Sequence, residues 1–174
     1  MSLALGALVE SIEQRFLDAD LYFGHGSLEA FDEAVYAALF TLQLPLDALD
    51  EHWERAVSHN EAERIESLVR ERIASRKPIA YLTKEAWLGP YRFYVDERVI
   101  VPRSFIAELL EEELAPWVEL PDKISRVLDL CTGSGCLAIL AALAFRNAVV
   151  DAVDLSRDAL AVARRNVGDY ELPS

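Results

Sequence analysis

Asp129-Leu130-Cys131-Thr132-Gly133-Ser134-Gly135 and, 19 residues after the last glycine, Asp154 are the positions of this chain best placed to do chemistry. Two glycines in a short turn let main-chain N–H groups approach a ligand with no Cβ in the way. A carboxylate at the tip of the following strand is placed to accept hydrogen bonds from a ribose diol. Such a pairing suits a cofactor that carries a nucleoside. Two thiols flank the turn, Cys131 and Cys136, and both read as small turn and core residues, with no His nearby in sequence to activate them.

Gly133 to Ala138 also meets the loose G-x-G-x-x-A pattern of a dinucleotide site. Two details favour another ligand. Asp129 lies four residues before the first glycine, where a dinucleotide turn usually has apolar strand residues, and the strand begins more than 120 residues into the chain. A wider turn with an acidic strand end suits a cofactor without a pyrophosphate, one with a sulfonium and an amino-acid tail. S-adenosylmethionine has those features, with Asp154 expected on its ribose. The plainer alternative is a tight strand-to-helix turn, with Asp154 capping the helix that starts near Ser156.

Elements must exist to hold these groups. Apolar residues make up 52% of the 174, enough for a core, and Asp and Glu exceed Lys and Arg by 30 to 17. That balance of −13 argues against a sequence-independent grip on nucleic acid; it sits well beside a basic protein partner, and equally well with acidity that only keeps the protein in solution. No Cys/His cluster has metal-ligand spacing, so no metal is expected. Acidic Glu10 and Glu13 interrupt the first apolar stretch, so no signal peptide is expected. The longest apolar run, Cys136 to Phe145, is ten residues, too short to cross a bilayer. A cytoplasmic protein with reduced thiols is the expectation.

Leu5, Leu8, Val9, Ile12 and Phe16 share one helical face, as do Phe31, Val35, Ala38, Leu39 and Leu42. A third helix is predicted from Asn60 as N-cap, with Glu63 three residues on and Ile65, Leu68, Val69 and Ile73 buried. Residues 1–76 therefore read as a helical module. Residues 77–103, with strands at 81–87 and 92–101 broken by Gly89-Pro90, read as a β-hairpin linker. From 104 the pattern is a helix to Leu114 capped by Ser104, a strand at 126–130, a helix at 136–145, a strand at 148–153 and a helix at 157–167. Alternating strands and helices imply an α/β domain with a parallel sheet. Trp53, Trp87 and Trp117 are expected to pack at domain seams.

The glycine turn, Tyr94-Val95-Asp96-Glu97-Arg98-Val99-Ile100-Val101-Pro102-Arg103-Ser104, Pro78-Ile79-Ala80-Tyr81-Leu82 and Gly24-His25-Gly26-Ser27 together resemble the HemK/PrmB family of protein glutamine methyltransferases across nearly the whole chain. The Gly-His-Gly turn and the Asp-Glu-Arg-Val run are most like the branch acting on a large-subunit ribosomal protein, rather than on release factors. The resemblance implies that residues 1–76 dock the protein substrate and that 104–174 are the first part of a Rossmann-like, S-adenosylmethionine-dependent domain. It implies cofactor contacts from Asp129, Cys131, Thr132, Gly133, Ser134, Gly135 and Asp154, with Pro102 and Arg103 at the pocket rim. Phe105 stands where the family usually has a Pro.

The family's Asn-Pro-Pro-Tyr motif, which holds the acceptor amide, is not in these 174 residues, and the catalytic residues are expected beyond Ser174. The polypeptide alone is expected to be inactive, and two strands of a larger sheet are expected to leave an apolar face that dimerisation covers. A non-catalytic, protein-binding remnant is the competing expectation.

Overall fold

The computed structural model describes residues 3–24 and 26–173, so His25 of the Gly-His-Gly turn lies outside the described residues. The chain divides between Thr83 and Lys84, not at Lys77.

The first unit is helical: α1 (Leu5–Asp18), α2 (Ala30–Leu42), a single turn α3 (Leu49–His52), α4 (His59–Ser75) and a short α5 (Ile79–Thr83). Two-residue strands β1 (Leu3–Ala4) and β2 (Ala56–Val57) pair antiparallel. Leu5, Val9, Ile12 and Phe16 of α1 meet Ala34, Ala38 and Leu39 of α2 and Ile65 and Val69 of α4 in one core. A methyl group on Gly6 would come within 2.2 Å of the Trp53 indole, so α1 accepts that ring only because position 6 lacks a Cβ. Trp53 thus packs within this unit.

Helix α4 starts two residues earlier than the Asn60–Glu63 pair suggests. Ser58 is the cap: its hydroxyl accepts from the Glu61 N–H, and the Glu61 carboxylate accepts from the Ser58 N–H at 2.9 Å, a reciprocal capping box. The α4 stripe also contains a charge. Arg72, 1% exposed, donates from Nε to Glu33 of α2, 3% exposed, and from Nη2 to the Tyr22 carbonyl at 3.0 Å. Arg76, the C-cap of α4, donates to the Ala19 carbonyl at 2.9 Å and to the Asp20 carbonyl, so the α1 end of the α1–α2 connection, Ala19 to Tyr22, rests on α4 and its cap. Tyr81 to Thr83 belong to α5 rather than to a strand.

In the second unit β3 (Glu85–Leu88) and β4 (Tyr91–Tyr94) form an antiparallel hairpin with Ala86 opposite Phe93. The second strand is shorter than predicted: Val95, Val99 and Val101 are buried, yet the backbone beyond Tyr94 joins no ladder. Helix α6 (Ile106–Glu111) ends before Leu114, and Phe105 holds its N-cap position while the Ser104 hydroxyl accepts from the Ile106 N–H at 3.2 Å. Then come β5 (Arg126–Leu130), α7 (Cys136–Ala144), β6 (Val149–Val153) and α8 (Arg157–Asp169).

Strands β5 and β6 are parallel, with Arg126 opposite Val149 and Leu130 opposite Val153. The α/β reading holds. Phe93 of the hairpin shares a core with Ala107 and Leu110 of α6 and Ile139 and Leu140 of α7, so the hairpin is a wall of this unit and no mere linker. The other sheet face is open, with Leu128, Leu130, Val149 and Val153 each about half exposed or more. Trp117 is exposed, and the Trp87 indole N–H donates to Glu85. No helix of the described residues is long and apolar enough to cross a membrane.

Candidate functional site

Parallel pairing brings the ends of β5 and β6 side by side, and the turn grows from there. The Thr132 N–H donates to the Val153 carbonyl at 3.0 Å, extending the ladder past Leu130. Cys131 turns the chain with φ +61°, and Gly133 (+56°) and Gly135 (+81°) complete the reversal. The Thr132 hydroxyl donates to Asp129 at 2.6 Å, and the Gly135 N–H to the Thr132 carbonyl at 2.9 Å. The Gly135 carbonyl then accepts from the Ile139 N–H at 2.9 Å, which opens α7. A Cβ at Gly135 would lie 3.1 Å from the Ala163 Cβ and 3.2 Å from its Cα. Positive φ and the close approach of α8 both require glycine there.

Asp154 binds the turn directly. One carboxylate oxygen accepts from the Gly133 N–H at 2.9 Å and the other from the Ser156 N–H at 2.9 Å. These bonds, Ser156 first, hold its carboxyl below the usual carboxylate range. The capping alternative is therefore half right: Ser156 is the N-cap of α8, its hydroxyl accepting from the Ala159 N–H, while Asp154 braces both the cap and the glycine turn. Each carboxylate oxygen keeps a lone pair for a ligand hydroxyl.

The structure gathers Asp129, Cys131, Thr132, Gly133, Ser134, Gly135 and Asp154 at one sheet edge. Thr132 and Ser134 are buried and present backbone, whereas Cys131 is exposed. Burial pushes the Cys136 thiol up, which suits a core residue and not a nucleophile. Pro102 is buried and Arg103 exposed in the irregular segment after β4.

Two contributors escape the sequence reading. Leu155, fully exposed beside Asp154, offers an apolar surface at the same edge. Asn166, 1% exposed, donates to the Ser134 carbonyl at 2.8 Å and to the Tyr94 carbonyl at 3.0 Å, and accepts from the Tyr94 N–H at 2.7 Å. Its signal was available: it falls on the α8 stripe Ala159, Val162, Ala163, Asn166, where a polar side chain must find buried partners.

Comparison with known proteins places the chain among methyltransferases. The family model of the methyltransferase small domain matches residues 108–173. The chain is 58% identical over 165 residues to a ribosomal protein uL3 glutamine methyltransferase of Burkholderia pseudomallei, covering 95% of this chain and 54% of the relative. A protein of the same name from Neisseria gonorrhoeae is 52% identical over 158 residues, covering 91% and 53%. Another from Bradyrhizobium diazoefficiens is 46% identical, covering 91% and 51%. The chain spans about half the length of the curated relatives it matches. By these matches the chain belongs to the family of the ribosomal protein uL3 glutamine methyltransferases.

Proposed function

We propose that this chain supplies the donor-binding half of an S-adenosylmethionine-dependent enzyme that methylates a glutamine side chain of a large-subunit ribosomal protein, in the cytoplasm where that acceptor is made. The carrying observation is the convergence of the glycine turn with the ionised Asp154 on adjacent parallel strands. The residues fit the cofactor. Asp154 has lone pairs for a ribose diol, Leu155 gives a flat base an apolar surface, and Gly133 admits close approach, since a Cβ there would meet nothing nearer than 4.0 Å. When bound, the group supplies an electrophilic methyl on sulfur. The names of the relatives carry the acceptor class, and 30 acidic against 17 basic residues favour a basic protein.

An amide nitrogen is a poor nucleophile, because its lone pair is shared with the carbonyl. Transfer needs the acceptor NH2 held in line with the methyl by fixed hydrogen-bond acceptors. The resemblance assigns that task to an Asn-Pro-Pro-Tyr segment, and none of the three asparagines, Asn60, Asn147 and Asn166, precedes a proline. A polypeptide of these 174 residues is therefore expected to bind the donor without turnover. The test is transfer of labelled methyl from S-adenosylmethionine to purified large-subunit ribosomal protein. The isolated polypeptide should stay at buffer background, and label on glutamine should appear with the full product of its reading frame. Label on a release factor instead would move the acceptor assignment, and transfer by the 174 residues alone would show that the Asn-Pro-Pro-Tyr segment is dispensable.

The open β5–β6 face bears on handling the polypeptide. Leu128, Leu130, Val149 and Val153 form an apolar surface of the kind that self-associates. We expect the 174-residue polypeptide to dimerise through it, and Leu130→Lys to return the protein to monomer in sedimentation. A wild type that sediments as a monodisperse monomer at high concentration would exclude this.

A further inference from the structure

We propose that Asn166 is a positioning residue that locks the glycine turn to the strand leading into the Val95–Ser104 segment, so that the two sides of the site move as one body. The proposal rests on reading the turn as the donor site. Its starting point is the use made of one buried amide. Both N–H groups of Asn166 donate to carbonyls of different elements, Ser134 in the turn and Tyr94 at the end of β4, and its oxygen accepts from the Tyr94 N–H. Towards Tyr94 the side chain behaves as a third strand, answering both main-chain groups of that residue. Towards the turn it fixes the peptide between Ser134 and Gly135, next to a glycine where an added Cβ would lie 3.1 Å from the Cβ of Ala163 on the same helix. A residue that only filled space at this 1% exposed position would be apolar, like Val162 one turn before it.

Tyr94 is held a second time by α8. The Arg165 guanidinium lies over its ring at 3.5 Å from the centroid. The phenol donates to Asp96 at 2.9 Å, and Asp96 accepts from the Arg98 guanidinium and the Arg98 N–H. The Asp96 carbonyl accepts from the Val99 N–H at 3.1 Å. An unbroken series of bonds therefore runs from the Ser134 carbonyl through Asn166 and Tyr94 to Val99, within three residues of Pro102. A shift of the turn on ligand binding must either carry Tyr94 with it or break the Asn166 bonds, which is the physical content of the coupling.

The test compares Asn166→Ala with Val162→Ala, an equally buried change on the same helix that touches neither Ser134 nor Tyr94 by hydrogen bond. Amide hydrogen exchange reads the Gly133 and Gly135 N–H groups, whose acceptors are Asp154 and Thr132 and not Asn166. In Asn166→Ala, exchange at Gly133, Gly135, Val95 and Val99 is expected to rise together by about tenfold or more over Val162→Ala, and affinity for S-adenosylhomocysteine to fall by a similar factor. Asn166→Asp, which keeps the shape and removes both donors, should behave like the alanine variant.

Equal exchange in Asn166→Ala and Val162→Ala, or unchanged S-adenosylhomocysteine affinity in Asn166→Ala, overturns the proposal. Should Asn166→Ala fail to fold, Arg165→Ala carries the test, because Arg165 is exposed. Freeing the Tyr94 ring should then raise exchange at Gly133 along with Val95, and a rise at Val95 alone defeats the coupling. If the exchange pattern holds while the wild type binds no S-adenosylhomocysteine, the donor reading fails and the lock stands.

Discussion

Asp154→Ala is expected to remove saturable S-adenosylmethionine binding from this chain, with affinity lowered on the order of 100-fold, as when a bidentate charge-assisted contact is lost. The effect is large because the carboxylate serves two sides at once. It anchors the Gly133 and Ser156 N–H groups, and on the proposed donor reading its remaining lone pairs are the ones offered to the ribose diol. Alanine takes away the ligand contact and frees the turn that shapes the rest of the site. Asp154→Asn, which keeps an acceptor but turns an NH2 towards main-chain donors, should fall between the two. The ionised form is the one that works. Main-chain bonds depress the Asp154 pKa, so its contribution is complete above the ordinary carboxylate value and is lost only as pH falls through the lower, folded-state value. Wild-type affinity should stay level from neutral pH into the ordinary carboxylate range. Calorimetric titration of wild type and variant with S-adenosylmethionine and with NAD decides the matter. Binding of NAD alone would return the turn to the dinucleotide class, and S-adenosylmethionine binding undiminished in Asp154→Ala would remove Asp154 from the site.

The site's scaffold was legible because each of its parts is local. An apolar strand, a glycine pair, an apolar helix and a second strand announce themselves by composition, and β5, α7, β6 and α8 fall within two residues of their predicted ends. Errors arose where particular hydrogen bonds or packing override composition. Two capping boxes compete within residues 58–63, Ser58 with Glu61 and Asn60 with Glu63, and the closed Ser58–Glu61 geometry settles it. Residues 81–83 have strand composition, yet the Thr83 hydroxyl bonds back to the Ile79 carbonyl at 3.2 Å and the segment coils. Val95, Val99 and Val101 are buried by packing without a ladder, so β-branching extended β4 too far on paper. The buried polar residues that matter most, Glu33, Arg72 and Asn166, are only half legible. A single sequence shows that such a residue interrupts an apolar stripe, but not which distant partner satisfies it.

Arg72→Ala is expected to be the most damaging single replacement in the helical unit, costing about 3–5 kcal/mol because it strands a buried carboxylate. Glu33 is 3% exposed and Arg72 1%, so neither charge can turn to water. Burial pushes the Glu33 carboxyl above its usual value, and the Arg72 bond opposes that shift without cancelling it. A buried ion pair gives up the hydration of both charges and recovers that cost only with difficulty, which sets the rest of the expectation. Glu33→Leu with Arg72→Met should regain most of the stability lost in either single variant, since apolar side chains of similar volume need no partner. The sign with pH follows too. A raised folded-state pKa gives stability that is fully present below the unfolded value and lost as pH rises through the folded one. Wild type should therefore gain on the double variant as the solution is acidified from neutral. Recovery will stop short in one respect, because methionine cannot donate to the Tyr22 carbonyl, and the α1–α2 connection then rests on Arg76 alone among these two arginines. Urea denaturation of the four proteins at two pH values measures all of this. If the double variant is as unstable as Arg72→Ala, the pair is needed for its specific geometry, holding the α1–α2 connection on α4, and its desolvation cost is secondary.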